Sequence, residues 1–172
     1  LAVFLLVLGY TFASNLALTR VASLSRVLFQ AATLLMLLTP LVTMRLLSEE
    51  RRHGTLELLL ATPVRERHVV LAKFAAAMTL CAAMLVPTLV YPALLAWFGH
   101  PEWGPIYSGY LGLLLLAALL NALGLAFSAL TANQVVAATL TLGTTLLLWL
   151  LDSLSAVLPA PWDGWVLHGS LL

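Results

Sequence analysis

Charge is scarce in this sequence. Only 9% of its 172 residues are Asp, Glu, Lys or Arg, whereas 62% are hydrophobic. Soluble domains usually contain about 25% charged residues, so these side chains could not cover a surface that faces water. Basic residues are absent after Lys73, and no basic stripe with interleaved aromatic residues is present. The composition therefore indicates an all-α, polytopic membrane helix bundle, and it argues against nucleic acid as a partner.

Two further shortages exclude particular chemistries. The single cysteine, Cys81, excludes a disulfide within the chain, and its position in an apolar run favours a small buried side chain. A glycine-rich phosphate-binding loop with its lysine is also missing, so ATP must be handled by another polypeptide.

Glu49, His53 and His68 could in principle share a metal, but the spacing does not match a known metal motif. We favour the interpretation that Glu49 and His53 are an exposed pair of side chains on one helix.

Long apolar runs divide the chain into membrane spans of about 20 residues. The first run is too short to span, and the sequence starts without Met, so we expect a single transmembrane domain truncated at both ends. Five of six helices should then be present. The predicted spans are about 1–13, 27–47, 69–98, 106–130 and 135–151. They are joined by a connector at 14–26, a loop at 48–68 and a minimal turn at 131–134, and an extracytoplasmic segment follows at 152–172.

Prolines and small residues predict local features of these spans. Pro40 should kink the second span, because proline removes a backbone hydrogen bond. Pro87 and Pro92 predict a bend in the far half of the third span. Ala118, Ala122 and Ala126 recur every four positions in the fourth span, which predicts a face for close helix packing.

Most of the charge lies in one block, residues 45–73, between two apolar runs. The block contains Arg45, Glu49, Glu50, Arg51, Arg52, Glu57, Arg65, Glu66, Arg67 and Lys73. It holds six of the eight basic residues, whereas the connector on the opposite side holds two. The excess of Lys and Arg in cytoplasmic loops places this charged loop in the cytoplasm. We therefore expect a multi-pass protein of the cell (inner) membrane.

The charged loop also contains helix signals. Gly54 is a poor helix residue and Thr55 a good N-cap, so a short helix is predicted over 55–61. Glu57 would lie in its first turn, where a negative charge suits the helix dipole. Leu56, Leu59 and Leu60 would share one face. Thr62 and Pro63 repeat the start signal for the next span.

This combination of residues resembles the ABC-2 type permeases, and it is most similar to the branch of gliding-motility and nitrous-oxide-reductase-maturation transporters. The resemblance extends through residues 110–113 and the turn at Asn133 and Gln134, which is nearly the whole chain. Ala72 departs from it, since the family often has glycine there. The matching residues of the charged loop and the third span are Glu49, Glu50, Arg51, Gly54, Thr55, Glu57, Leu58, Leu59, Pro63, Val64, Lys73 and Phe74.

The resemblance implies a half-transporter of six helices that pairs with a second permease subunit and recruits two cytoplasmic ATPase subunits. No cofactor would be bound directly, since ATP and Mg²⁺ belong to the ATPase. The charged loop would be the coupling element that docks on the ATPase, with leucine anchors and charges that set its register. The predicted coupling residues are Glu49, Glu50, Arg51, Arg52, Gly54, Thr55, Leu56, Glu57, Leu59, Leu60, Pro63 and Lys73.

Other interpretations of the same residues remain open. The charged loop could be an ordinary solvated loop, and its leucine face could lie on membrane lipid. An intramembrane hydrolase would need a nucleophile and a base within the bilayer, and neither Ser128 nor Thr141 has a histidine at its depth. A membrane scaffold or anchor subunit without transport is the remaining alternative to a permease.

Overall fold

The computed structural model describes residues 2–19, 24–46, 48, 66–98 and 103–155, and within these ranges nearly all residues are helical and none is in a strand. The all-α helix bundle expected from the composition is therefore confirmed. The third span consists of two helices joined by a 3-10 turn at Val86–Leu89. The helices are α1 (Ala2–Thr19), α2 (Ser25–Thr43), α3 (Glu66–Leu85), α4 (Val90–Phe98), α5 (Trp103–Leu130) and α6 (Gln134–Ser155).

Four stretches of the described chain are long and apolar enough to cross a membrane. They are Ser25–Thr43, Arg67–Trp97, Trp103–Leu130 and Gln134–Leu151. Ala2–Ser14 is a shorter apolar helical stretch. Each corresponds to one of the runs from which a span was predicted.

The ends of several helices differ from the predicted boundaries. The connector expected at 14–26 is shorter, because α1 continues to Thr19 and α2 already begins at Ser25. No glycine or proline interrupts residues 13–19, so the helix has no local reason to stop where polar residues begin. The second span ends as a helix at Thr43 rather than at residue 47. At the other end of the chain, α6 passes through Asp152 to Ser155.

Helix α2 lies at the centre of the bundle, where it contacts α1, α3, α5 and α6. Its buried face includes Val27, Ala31 and Leu35. Leu113, Leu116 and Leu120 of α5 belong to the same core cluster. The other helices mainly pack around this α2–α5 pair, so contacts between these two helices position the remaining elements.

Helices α2 and α5 approach each other closely at Gly124. A Cβ atom added there would overlap the side chain of Thr43, with its Cγ2 atom at 2.9 Å. Thr43 is fully buried. Glycine is thus the residue that lets the α2 side chain lie directly against the α5 backbone.

The small-residue face predicted on α5 is not its packing face. Ala122 and Ala126 are exposed, and Ala118 is only half-buried. The buried face instead contains Ala117, Asn121, Gly124 and Ser128. The prediction was wrong for the described bundle because small and large apolar residues occur on every side of α5, so the spacing of its alanines does not distinguish the inner face from the exposed one.

Asn121 connects α5 to α3 in the interior of the bundle. Its side chain is fully buried, and its Nδ2 donates to Cys81 Sγ at 3.3 Å and to Met78 Sδ at 3.5 Å. Cys81 is buried, as its apolar surroundings predicted. It also serves as a hydrogen-bond acceptor between two spans, which the sequence did not indicate.

The 3-10 turn at Val86–Leu89 interrupts the third span where Pro87 and Pro92 predicted a bend. Thr88 Oγ1 donates to the carbonyl of Leu85 at 2.6 Å. The Tyr110 hydroxyl of α5 donates to the Thr88 carbonyl at 2.9 Å. The Thr88 carbonyl lies four residues before Pro92, which has no N–H to donate to it, so the Tyr110 hydroxyl supplies a donor and holds the interruption in place.

Candidate functional site at the cytoplasmic base of the bundle

The charged loop leaves and re-enters the bundle at one side. Because successive spans cross in opposite directions, the end of α2, the start of α3, the end of α5 and the turn at 131–133 lie on that side. We call this region the cytoplasmic base, following the orientation inferred from the basic residues. It is the part of the described bundle through which a force on the charged loop would enter the spans.

Most of the predicted coupling residues lie outside the described part of the chain. Lys73 is the exception, and it is half-buried on α3. The docking role of the loop therefore stays a prediction, and the structure contributes the residues on which the loop is mounted. The coupling residues outside the described ranges are Glu49, Glu50, Arg51, Arg52, Gly54, Thr55, Leu56, Glu57, Leu59, Leu60 and Pro63.

Ser48, which immediately precedes the charged loop residues Glu49 and Glu50, is bonded to the fourth span. Its backbone N–H donates to Ser128 Oγ at 3.0 Å, and its own hydroxyl donates to the Met44 carbonyl. Ser128 Oγ also donates to the Met44 carbonyl, at 3.2 Å. Both serine side chains are fully buried. The start of the loop is thereby fixed to the end of α5 as well as to α2.

Sequence reasoning missed this serine pair. The sequence suggests Ser128 only as a candidate nucleophile and Ser48 only as the first residue of the loop. The two are 80 positions apart, and nothing local connects them. The one signal in the sequence was the presence of a serine near the same end of two adjacent spans, where a buried hydroxyl needs a partner.

The turn between α5 and α6 is defined by a side-chain cap. Asn133 Oδ1 accepts a hydrogen bond from the Val135 N–H at 3.0 Å, as an N-cap residue does. Thr131 Oγ1 accepts from the Asn133 N–H at 3.1 Å. These bonds fix where α6 begins and orient it against the base.

Buried threonines line the inner faces of α2 and α6, and their hydroxyls are used within their own helices. Thr39 and Thr43 donate to the carbonyls of Leu35 and Thr39 at 2.7 and 3.0 Å. Thr141 and Thr145 donate to Ala137 and Thr141, both at 2.8 Å. Back-bonding of this type satisfies a hydroxyl without a ligand. The threonines are therefore packing residues of the spans.

The family model described as ABC-2 family transporter protein matches residues 16–160, which include the whole charged loop and the base. The chain belongs to the ABC-2 transporter family. No curated protein and no solved structure matches it. The specific branch of the family suggested by the resemblance is therefore not established.

Membership of the ABC-2 family defines the general role of the chain. It is a multi-pass membrane domain of an ATP-binding-cassette transporter, and domains of this family are membrane transport components. Such an ABC-2 domain works with an ABC ATPase partner. The helical, apolar architecture agrees with this role.

The serine pair leads to a testable prediction about the base. Ser128→Ala should lower the free energy of unfolding by about 1–2 kcal/mol, because the buried Ser48 N–H loses its acceptor. The quantity can be measured by unfolding the purified ABC-2 protein from mild detergent into SDS.

Ser108→Ala is the matched control for Ser128→Ala. Ser108 is exposed on the same helix, and its hydroxyl donates to the carbonyl of Pro105 at 3.1 Å. Its removal should change the unfolding free energy by less than about 0.5 kcal/mol. Equal losses in the two variants would show that the bond to Ser48 contributes nothing specific.

Proposed function

We propose that this chain is the permease subunit of an ABC-2 transporter in which the charged loop receives the force of ATP hydrolysis. The permease would pair with a second subunit, identical or not, and recruit two cytoplasmic ATPase subunits. The observation that carries the proposal is the family match over residues 16–160, because it contains the loop together with the spans on either side. The substrate crosses by alternating access.

The coupling step follows from the chemistry of the loop. An amphipathic helix over 55–61 presents Leu56, Leu59 and Leu60 to a groove on the ATPase, where apolar anchors supply affinity. The surrounding charges orient the helix and select the partner. Closure of the ATPase subunits on ATP displaces this helix toward or away from the membrane.

Two routes lead from the loop into the bundle. Pro63 and the residues that follow connect directly to α3, whose first turns contain Arg67 and Lys73. On the other side, Ser48 is bonded to Ser128 at 3.0 Å, so motion of the loop start also reaches α5. This double attachment supports a coupling role, since a merely solvated loop would not require it.

Purification of the transporter from native membranes tests the proposal. In mild detergent, the full-length protein should bring down a stoichiometric ABC ATPase subunit, identified by mass spectrometry. Replacing Leu56, Leu59 and Leu60 with serine should reduce the recovered ATPase at least about tenfold, because each buried leucine contributes about 1.5–3 kcal/mol.

The control for the leucine variant replaces one apolar residue on the side of the membrane opposite the charged loop. Trp97→Ser is suitable because Trp97 is highly exposed at the far end of the third span, and it should leave ATPase recovery unchanged. If no ATPase co-purifies with the wild-type protein while other membrane complexes stay intact, the scaffold interpretation replaces the permease. If the triple variant retains the ATPase, then Leu56, Leu59 and Leu60 do not form the docking contact.

A further inference from the structure

The backbone of the third span contains a gap in its hydrogen bonding. Pro87 and Pro92 have no N–H to donate, so the Thr88 carbonyl, four residues before Pro92, receives no backbone bond from that position. Between the prolines the chain forms the 3-10 turn, in which the Val90 N–H donates to the Pro87 carbonyl three residues earlier. Hydrogen bonds in a 3-10 stretch are weaker than those of the α-helices beside it, so this is the part of the span whose direction can change most easily.

The Tyr110 side chain of α5 supplies a donor at this gap. Its hydroxyl donates to the Thr88 carbonyl at 2.9 Å, and it lies 3.0 Å from the Thr88 hydroxyl oxygen. Thr88 is only 3% exposed, and its hydroxyl donates to the Leu85 carbonyl at 2.6 Å. One side-chain hydroxyl from a neighbouring helix thus takes the place of a missing backbone donor.

A side-chain donor can be withdrawn, whereas a backbone N–H within a helix cannot. The bond from Tyr110 to Thr88 breaks when the two groups separate by about 1 Å more, since hydrogen bonds extend to about 3.2 Å between donor and acceptor. In the hydrocarbon region no bulk water replaces the lost donor. The contact is therefore either made or broken, and it separates two arrangements of the span.

We propose that residues 86–89 are a hinge in the third span and that the Tyr110 hydroxyl is its latch. With the latch closed, α3 and α4 keep the angle of the present structure. With the latch open, α4 changes its direction relative to α5 while α3 keeps its packing. The inference uses only contacts within the described bundle, so it does not depend on docking of the charged loop to an ATPase.

The experiment measures distances within one chain in the purified full-length protein, by pulsed electron spin resonance in lipid nanodiscs. An outer pair of spin labels at Trp97→Cys and Leu147→Cys joins α4 to α6, since both positions are exposed. An inner pair at Leu71→Cys and Ala132→Cys joins α3 to the turn before α6. Cys81 is buried and should take no label. Dilution with unlabelled protein removes distances between paired subunits.

Tyr110→Phe removes only the hydroxyl, so it opens the latch while the ring remains. The population of altered outer distances should rise about three- to tenfold, which is the factor that one hydrogen bond between membrane helices supplies. The inner pair should keep its wild-type distribution. Tyr107→Phe is the matched control, because Tyr107 is on the same helix but 68% exposed, and it should change neither pair.

Pro92→Ala tests whether the latch replaces the missing backbone donor. The variant returns an N–H to position 92, so the Thr88 carbonyl no longer needs the Tyr110 hydroxyl. Combined with Tyr110→Phe, it should bring the outer distribution back to the wild-type width, because the two changes act on one hydrogen bond and are not additive. Pro92→Ala alone should narrow the outer distribution, which tests the hinge even if Tyr110→Phe cannot be purified.

Three results would overturn the proposal. An unchanged outer distribution in Tyr110→Phe would show that the hydroxyl does not hold the turn. Equal broadening of the inner and outer pairs would show that the change loosens the whole bundle rather than one hinge. If Pro92→Ala does not narrow the outer distribution, alone or with Tyr110→Phe, then the missing backbone donor is not the cause. Binding of the ATPase is measured separately by co-purification and is not affected by any of these results.

Discussion

Replacing Gly124 with leucine is expected to prevent the bundle from folding. Even the first added carbon overlaps the Thr43 side chain, and the full side chain would separate α2 from α5, the pair around which the other helices pack. Overpacking costs about 1–3 kcal/mol and occasionally more, and here no flexible neighbour can yield without moving a helix. The yield of monodisperse protein and the SDS unfolding midpoint measure the effect.

Gly143→Leu provides the comparison for Gly124→Leu, because it makes the same chemical change where a Cβ meets nothing within 4 Å. It should fold normally, helped slightly by the better helix propensity of leucine. Gly124→Ala is a smaller step, and its loss should be partly recovered by Thr43→Ala, which removes Oγ1 and Cγ2. If Gly124→Leu folds as well as Gly143→Leu, the close helix crossing does not exist.

Reversing the charge at Glu57 is expected to separate ATP hydrolysis from movement of the permease. Glu57→Arg would place a positive charge in the first turn of the helix predicted over 55–61, where the dipole would disfavour it by about 0.3–1 kcal/mol. It would also reverse a charge that the proposed docking places against the ATPase, and juxtaposed like charges at an interface cost several kcal/mol. Membrane insertion should be intact, since no span is altered.

The movement can be followed without knowing the substrate. A spin label on Ala132→Cys reports the base, because Ala132 is exposed in the turn between α5 and α6, whereas Cys81 is buried. In the wild-type complex, ATP with vanadate should shift the distance between the labels of two paired subunits. In Glu57→Arg the shift should disappear while hydrolysis continues.

Glu102→Arg is the control for charge reversal, because it makes the same change in the loop predicted on the opposite side of the membrane. It should leave both the distance shift and hydrolysis intact. An unchanged shift in Glu57→Arg would contradict the coupling role of the loop. Loss of both hydrolysis and shift would indicate that Glu57 is needed for docking rather than for transmission.

The existence and type of the spans could be predicted from the sequence. A segment that crosses the bilayer needs about 20 apolar residues and must satisfy its backbone hydrogen bonds internally, so each such run predicts a helix. The interruption at Pro87 was predictable for a similar reason, since proline acts locally. Helix ends were less accurate: α1 continues to Thr19 because polar residues do not by themselves end a helix.

The contacts between helices could not be predicted. Nothing in the apolar run of α5 distinguishes Ala122, which is exposed, from Ala117, which is fully buried. Small residues occur on both faces, and the inner face is determined by its neighbours in the bundle. The bond from Ser48 to Ser128 depends on the same three-dimensional arrangement. The charged loop, by contrast, is defined by sequence signals alone, and its role stays a prediction.

The 3-10 turn at 86–89 has a mechanical consequence for the third span. Beyond the turn, the Tyr91 hydroxyl donates to the Leu5 carbonyl of α1 at 3.3 Å, and the Tyr91 ring stacks on Phe12 at 4.9 Å. Tyr110 of α5 holds the turn itself. The outer segment α4 is thus anchored separately from α3. Because α3 is bonded to α5 through Asn121 whereas α4 is bonded to α1 through Tyr91, the two halves of the third span have different neighbours, and the 3-10 turn is the point between them at which the span can bend.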